Sequence, residues 1–178
     1  TVLISGCIDT QKVHISSAIA SGYKYMLIVT SDEAKARKMC DDASFFNKEA
    51  IYYPAKDAIF YSADVHGNQI TGERLRCISR IINHSSTGEG VLTVVTTMDG
   101  IADRLIPVER FKEAVITLDY SSEIEPEKLA KKLVAMGFVR TGMVEDKGQF
   151  AIRGGIIDIF SYTDEAPVRI ELWDTEVD

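Results

Sequence analysis

TVLISGCIDTQKVHISSAIASG, residues 1–22, sets the class of fold to expect. The apolar run VLIS reads as a short strand, Gly6 opens a turn, and a helix follows with Asp9 or Thr10 as its N-cap. Phosphate-binding loops have this strand–turn–helix form and read G-x-x-x-x-G-K-[ST]. Gly6 and Lys12 keep that spacing, whereas Gln11 stands at the second glycine and Val13 at the hydroxyl residue. The chemistry needs glycine so that backbone N–H groups can close around a phosphate, and a hydroxyl to bind magnesium. Gln11 adds a side chain where the loop must turn tightly, and Val13 cannot coordinate a metal. Lys12 alone is a point charge beside a helix N-terminus. A strand ending in paired acids would complete such a site, but VVTTMDG supplies only Asp99. The loop is therefore read as a degenerate nucleotide site, a piece of core with no cofactor.

Working outward, YMLIVT (25–30), AIYY (50–53) and VLTVVTT (91–97) are expected strands. The last is the most β-branched run of the chain and belongs at the centre of a sheet. EAVITLDY (113–120) reads as a further strand. Between them, SDEAKARKMCDDASFF (31–46) is a helix capped by Ser31, with acidic residues in its first turn as the helix dipole prefers. ITGERLRCISRIINHS (70–85) is a helix with Leu75, Ile78 and Ile82 on one face, and MDGIADRLIP is a short helix stopped by Pro107. Glu73, Arg74 and Arg76 are expected to form ion pairs that lock their helix to the sheet. Apolar strands alternating with helices predict a parallel sheet covered on both faces.

The character changes at about 118–122, which divides the chain into an α/β domain over 1–119 and a small α+β domain over 120–178. SSEIEPEKLAKKLVAMGF (121–138) reads as one amphipathic helix, with Pro126 in its first turn, Gly137 at its end, and Leu129, Leu133 and Met136 along one face. Strand-like runs follow. Two of them, QFAIRGGIIDIF (149–160) and VRIELWD (168–174), read as neighbouring antiparallel strands, with Gly154 and Gly155 marking a bulge or a close backbone approach. Trp173, the sole tryptophan, is given a structural place on the buried face of its strand.

A net charge of −7 argues against broad, phosphate-driven nucleic-acid binding, which needs a basic face. With 46% hydrophobic and 26% charged residues, the composition is that of a soluble globular protein. No apolar run approaches the ~20 residues of a membrane span, and no secretory leader pattern opens the sequence. Cys7, Cys40 and Cys77 are widely spaced, as are His14, His66 and His84, so no metal site is expected and a reducing cytoplasm is the simplest setting. Asp57, Asp64, Glu73 and Asp99 could share a cleft, but no pairing of residue types demands catalysis.

Three stretches carry a resemblance. GQFAIRGGIIDIF (148–160) and PVRIELWD (167–174) resemble the signature shared by UvrB and the transcription-repair coupling factors. YPAKDAIFY (53–61) with ITGERLR (70–76) resembles the coupling factors specifically. Only about a dozen residues join Tyr61 to Arg74, too few for the tyrosine-rich hairpin that UvrB inserts at DNA damage. The resemblance spans residues 1–178 and implies a UvrB-like module: a degenerate helicase-type α/β domain with a lost nucleotide loop, followed by a small domain that docks onto UvrA. It implies UvrA-binding roles for Arg140, Arg153 and Phe160, with Ala151 standing where UvrB has a further arginine. It also implies that RNA polymerase, DNA and the ATP-driven translocase belong to other parts of the family's chain. Two rival expectations remain open at this level. One is a UvrB-type subunit keeping residual ATP binding through Gly6 and Lys12. The other is an autoinhibitory clamp acting on the rest of a longer chain.

Overall fold

The computed structural model describes residues 1–56 and 64–178, without the side chains of residues 64–68 and 87. Asp57 and Tyr61, part of YPAKDAIFY, and the side chains of Asp64 and His66 therefore lie outside the described residues. The chain divides into two units, Thr1–Leu105 and Ile106–Asp178.

In the first unit the order is α1 (Asp9–Ala20), β1 (Tyr25–Thr30), α2 (Glu33–Phe46), β2 (Ala50–Tyr53), α3 (Asp64–Thr87), β3 (Leu92–Thr97) and the short α4 (Met98–Ala102). The strands form a parallel sheet in the order β1-β3-β2, with Tyr25 opposite Leu92 and Ala50 opposite Thr93. The β-branched run is the central strand, and Leu92, Thr93, Val95, Thr96 and Thr97 are buried within it. Both faces are covered, as a parallel strand of that composition requires. On one face Val13 of α1 and Ala36, Met39, Cys40 and Ala43 of α2 close over Val95. On the other, Cys77 of α3 packs among Ile51, Tyr53 and Leu92, with Ile78 and Ile81 alongside. Arg74 ties α3 to the ends of the sheet: it donates to the Pro54 carbonyl at 2.8 Å, reaches Asp103 at 3.2 Å and lies 4.5 Å over the Tyr53 ring.

The core sets the chemistry of two thiols. Burial pushes Cys77 up to about 12 and raises Cys40 as well, while Cys7 is only half-buried. Thiolate, not thiol, reacts with alkylating agents. Iodoacetamide at pH 8 is therefore expected to label Cys7 alone in the folded chain, and all three in denaturant. Native labelling of Cys77 at the rate of Cys7 would contradict this packing.

Several local expectations are corrected. VLIS forms no strand: Val2, Leu3 and Ile4 are exposed, and the segment pairs with nothing among the described residues. Apolar composition favours a pleated, half-buried surface but supplies no ladder partner. EAVITLDY is likewise no strand, since Glu113 and Ala114 end helix α5 (Val108–Ala114). Val115 then turns extended, with φ −73° and ψ 131°, and only Ile116 of that run joins the second core. MDGIADRLIP is helical only to Ala102, with Asp103 already extended. The α2 cap is Asp32 rather than Ser31, because Asp32 holds the extended backbone and accepts from the Lys35 amide at 2.9 Å. Ile8, not Asp9 or Thr10, occupies the cap position of α1.

The second unit continues with α6 (Pro126–Ala135), β4 (Val139–Arg140), β5 (Gln149–Arg153), β6 (Ile156–Phe160), β7 (Val168–Trp173) and β8 (Glu176–Val177). Pro126 starts α6, where its missing N–H costs nothing. Gly137, with φ 91°, ends it: the Phe138 amide donates to the Leu133 carbonyl and the Gly137 amide to Val134, both at 3.0 Å. This left-handed closure throws Phe138 back onto Leu133 in the core. The five strands lie in the order β4-β5-β6-β7-β8, parallel between β4 and β5 and antiparallel elsewhere. QFAIRGGIIDIF is thus a hairpin rather than one strand. Arg153 pairs with Ile156 across a two-residue turn in which Gly154 has φ 61°. Gly155 is a close backbone approach: a Cβ there would stand 2.7 Å from the Leu172 carbonyl oxygen.

Candidate functional site

Strand alternation sorts the second sheet into two faces. Phe150, Ile157 and Ile170 face α6 and pack against Leu129, Ala130 and Leu133, with Ile152, Ile159 and Leu172 beside them. The intervening residues, Gln149, Ala151 and Arg153 on β5, Ile156, Asp158 and Phe160 on β6, and Arg169, Glu171 and Trp173 on β7, form the opposite, open face.

At the middle of that face a carboxylate sits between two guanidiniums. Asp158 accepts from Arg169 Nε at 2.7 Å and Nη2 at 3.1 Å, and from Arg153 Nη2 at 2.5 Å. The hydrogen bond from Arg169, joined by that from Arg153, holds the Asp158 carboxyl below the usual carboxylate range despite its burial. Asp158 is therefore ionised at neutral pH, and two cations share one anion. Ala151, opposite Asp158 on β5, is buried at 1% exposure. The Arg153 side chain stays 48% exposed, so its guanidinium is oriented by Asp158 and still open on its outer side.

Phe160 lies on the same face but at the far end of β6, opposite Gln149. Four residues separate it from Ile156, the partner of Arg153, or roughly 13 Å along the strand. Its ring is half-buried, with Lys147 Nζ 5.6 Å from the centroid. Arg140 belongs to the other side. It pairs in register with the core residue Phe150, reaches Glu127 of α6 at 3.9 Å, and lines a groove of about 370 Å³ with Lys131 and Val134. The structure thus brings Arg153 and Phe160 onto one face and sets Arg140 around the β4 edge.

Two residues of the open face escape a reading by spacing alone. Arg169 meets Asp158 because β6 and β7 pair antiparallel with these two residues opposite each other, and the Gly154–Gly155 turn brings Arg153 of β5 to the same carboxylate. Trp173, expected to be buried, is 80% exposed. Its parity in β7 matches Arg169 and Glu171, not the core residues Ile170 and Leu172; counting alternation back from VRIELW finds this signal.

In the first unit the loop residues have structural occupations. Val13 is 0% exposed in the core against Val95. The Gln11 side chain accepts from the Ile8 amide at 3.3 Å, which caps α1 from within. Lys12 Nζ pairs with Asp9 at 2.9 Å, and Lys35 reaches the same carboxylate at 3.8 Å. Gly6 has φ 78° with open space around it. Among the described residues no group of three His, Cys, Asp or Glu could hold a metal ion, and no helix is long and apolar enough to cross a membrane.

Residues 116–178 match the UvrB interaction domain family. Across 99% of its length the chain is 36% identical to the transcription-repair-coupling factor of Bacillus subtilis (strain 168). It is 33% identical to those of Staphylococcus aureus (strain USA300) and Staphylococcus haemolyticus (strain JCSC1435), again over 99% of the chain. The chain spans 15% of the length of each of these relatives.

Proposed function

The chain is a relative of the transcription-repair-coupling factors and carries a UvrB interaction domain, and from that premise we propose that it is a non-catalytic module that binds UvrA. In a longer chain such a module recruits excision repair to stalled transcription, while RNA polymerase, DNA and ATP are handled by other parts. The open sheet face supports this reading: it lies wholly within the matched domain and presents an exposed, pre-oriented arginine with an aromatic residue on the same surface. Arginine and aromatic side chains are the usual energetic centres of interfaces. A guanidinium fixed by Asp158 loses little side-chain freedom when it meets a carboxylate on the partner. Arg140, on the α6 side, serves the same partner if UvrA folds around the short β4 edge.

The first unit supports the non-catalytic half of the proposal. A nucleotide loop needs Gln11, Lys12 and Val13 free to act on phosphate and magnesium. Here Gln11 caps a helix, Lys12 is paired, and Val13 is core. The first unit is accordingly read as a helicase-type domain that has become a scaffold.

The test is titration of purified UvrA with the wild-type chain and with Arg153→Ala. Asp158 keeps Arg169 in the variant, so folding by circular dichroism should be unchanged. Binding is expected to weaken about 30-fold, on the order of 2 kcal/mol. Arg153→Lys should restore little of it, because an ammonium lacks the planar fork. Equal binding by wild type and Arg153→Ala would remove Arg153 from the interface, and no binding by the wild type would overturn the UvrA reading itself.

A further inference from the structure

We infer that Trp173 is the apolar anchor of the same interface, an inference that rests on the UvrA-binding reading and adds to it a residue and a chemistry for the partner's surface. Trp173 is 80% exposed at the end of β7. Strand parity puts it on the open face with Arg169 and Glu171, one step beyond the row in which Ile156 and Glu171 pair. An isolated exposed apolar residue is ordinary on a protein surface. This one stands on the face that also carries the oriented arginines, inside the segment that matches an interaction domain. Tryptophan is also the residue type most enriched among interface hot spots.

The charges around it specify what covers it. Glu171 lies two residues back on the same face, and Glu176 of β8 pairs directly with Trp173, both exposed. Arg153 stands in the same row as Glu171, on the β5 side of Ile156, while Arg169 and Lys147 lie toward Phe160. At this end the face is therefore polarised across the strands, acidic on β7 and β8 around the indole and cationic at Arg153 on β5. The complementary surface on UvrA is an apolar pocket with a Lys or Arg at its mouth for Glu171 and Glu176, and a carboxylate set to one side for Arg153. A cation at the pocket mouth also gains from the indole face.

The sole tryptophan of the chain makes the test direct. UvrA is titrated with wild type, Trp173→Phe and Trp173→Ala, each checked by thermal melt. The expected result is a loss of about 30-fold in affinity for Ala with most of it kept by Phe. A blue shift of emission on binding should be present in wild type and missing from the Phe variant. If wild type binds UvrA and Trp173→Ala binds equally well, the anchor is overturned and the UvrA reading stands. If wild type shows no binding, both are overturned together.

Discussion

Phe150→Ala is expected to destabilise the second unit by about 4 kcal/mol, within the range found for emptying a buried aromatic site. Phe150 is 0% exposed and packs at the centre of a cluster with Ile124, Leu129, Leu133, Phe138, Ile157 and Ile170. Those neighbours come from α6, the segments that flank it and two strands, so the void cannot close by a shift of one element. The consequence for function follows from the geometry of β5. The open face and the core face alternate along that strand, and Ala151 and Arg153 keep their positions only while Phe150 and Ile152 hold theirs. Loss of UvrA binding is therefore expected together with loss of stability, unlike Arg153→Ala, which should lose binding alone. Hydrogen exchange reads the effect unit by unit. Amides of β5 and β6 should lose about three decades of protection, since 1.36 kcal/mol corresponds to a factor of ten. Amides of β3 are the internal comparison. A change below about one decade would mean that α6 is held by its caps and by Leu133 rather than by this ring.

The elements that were legible are those whose signal is local and whose partners the pattern implies. VLTVVTT is central because a run buried on both faces can stand nowhere else in a parallel sheet. Pro126 and Gly137 bracket α6 by backbone chemistry alone. The strand misreadings share one cause, which is that strand composition says nothing about who pairs. VLIS and EAVITLDY have the composition and lack the ladder. Reading RGG as a bulge or a close backbone approach holds for Gly155 against the Leu172 carbonyl, but two glycines between alternating runs are also the signature of a two-residue hairpin. The turn at Gly154–Gly155 sets Arg153 on the face where Asp158 and Arg169 pair, while Trp173 takes its side from the alternation of β7 itself. Sequence spacing between Arg140 and Arg153 is silent on the fact that one borders α6 and the other does not.

Arg74→Ala should cost the first unit about 3 kcal/mol, the low end of what breaking a buried ion pair costs. The low end is chosen because the two partners are unequally placed: the Arg74 side chain is 7% exposed and Asp103 is 32% exposed, so Asp103 partly rehydrates when its partner is gone. Three separate interactions end at one guanidinium: the ion pair, the bond to the Pro54 carbonyl, and the stack over Tyr53. The Pro54 carbonyl loses its side-chain donor, and the ring loses a flat cation. Arg74→Lys is therefore expected to recover less than half of the loss, since an ammonium can serve one of these groups at a time. Urea denaturation of the three proteins at low and at high salt checks the assignment. A pair this buried is poorly screened, so the difference between wild type and Ala should hold at both ionic strengths. A difference that vanished in salt would make the pair a surface contact. α3 would then be held to the sheet by Cys77, Ile78 and Ile81 alone, and the arginine of ITGERLR would need a role outside this unit.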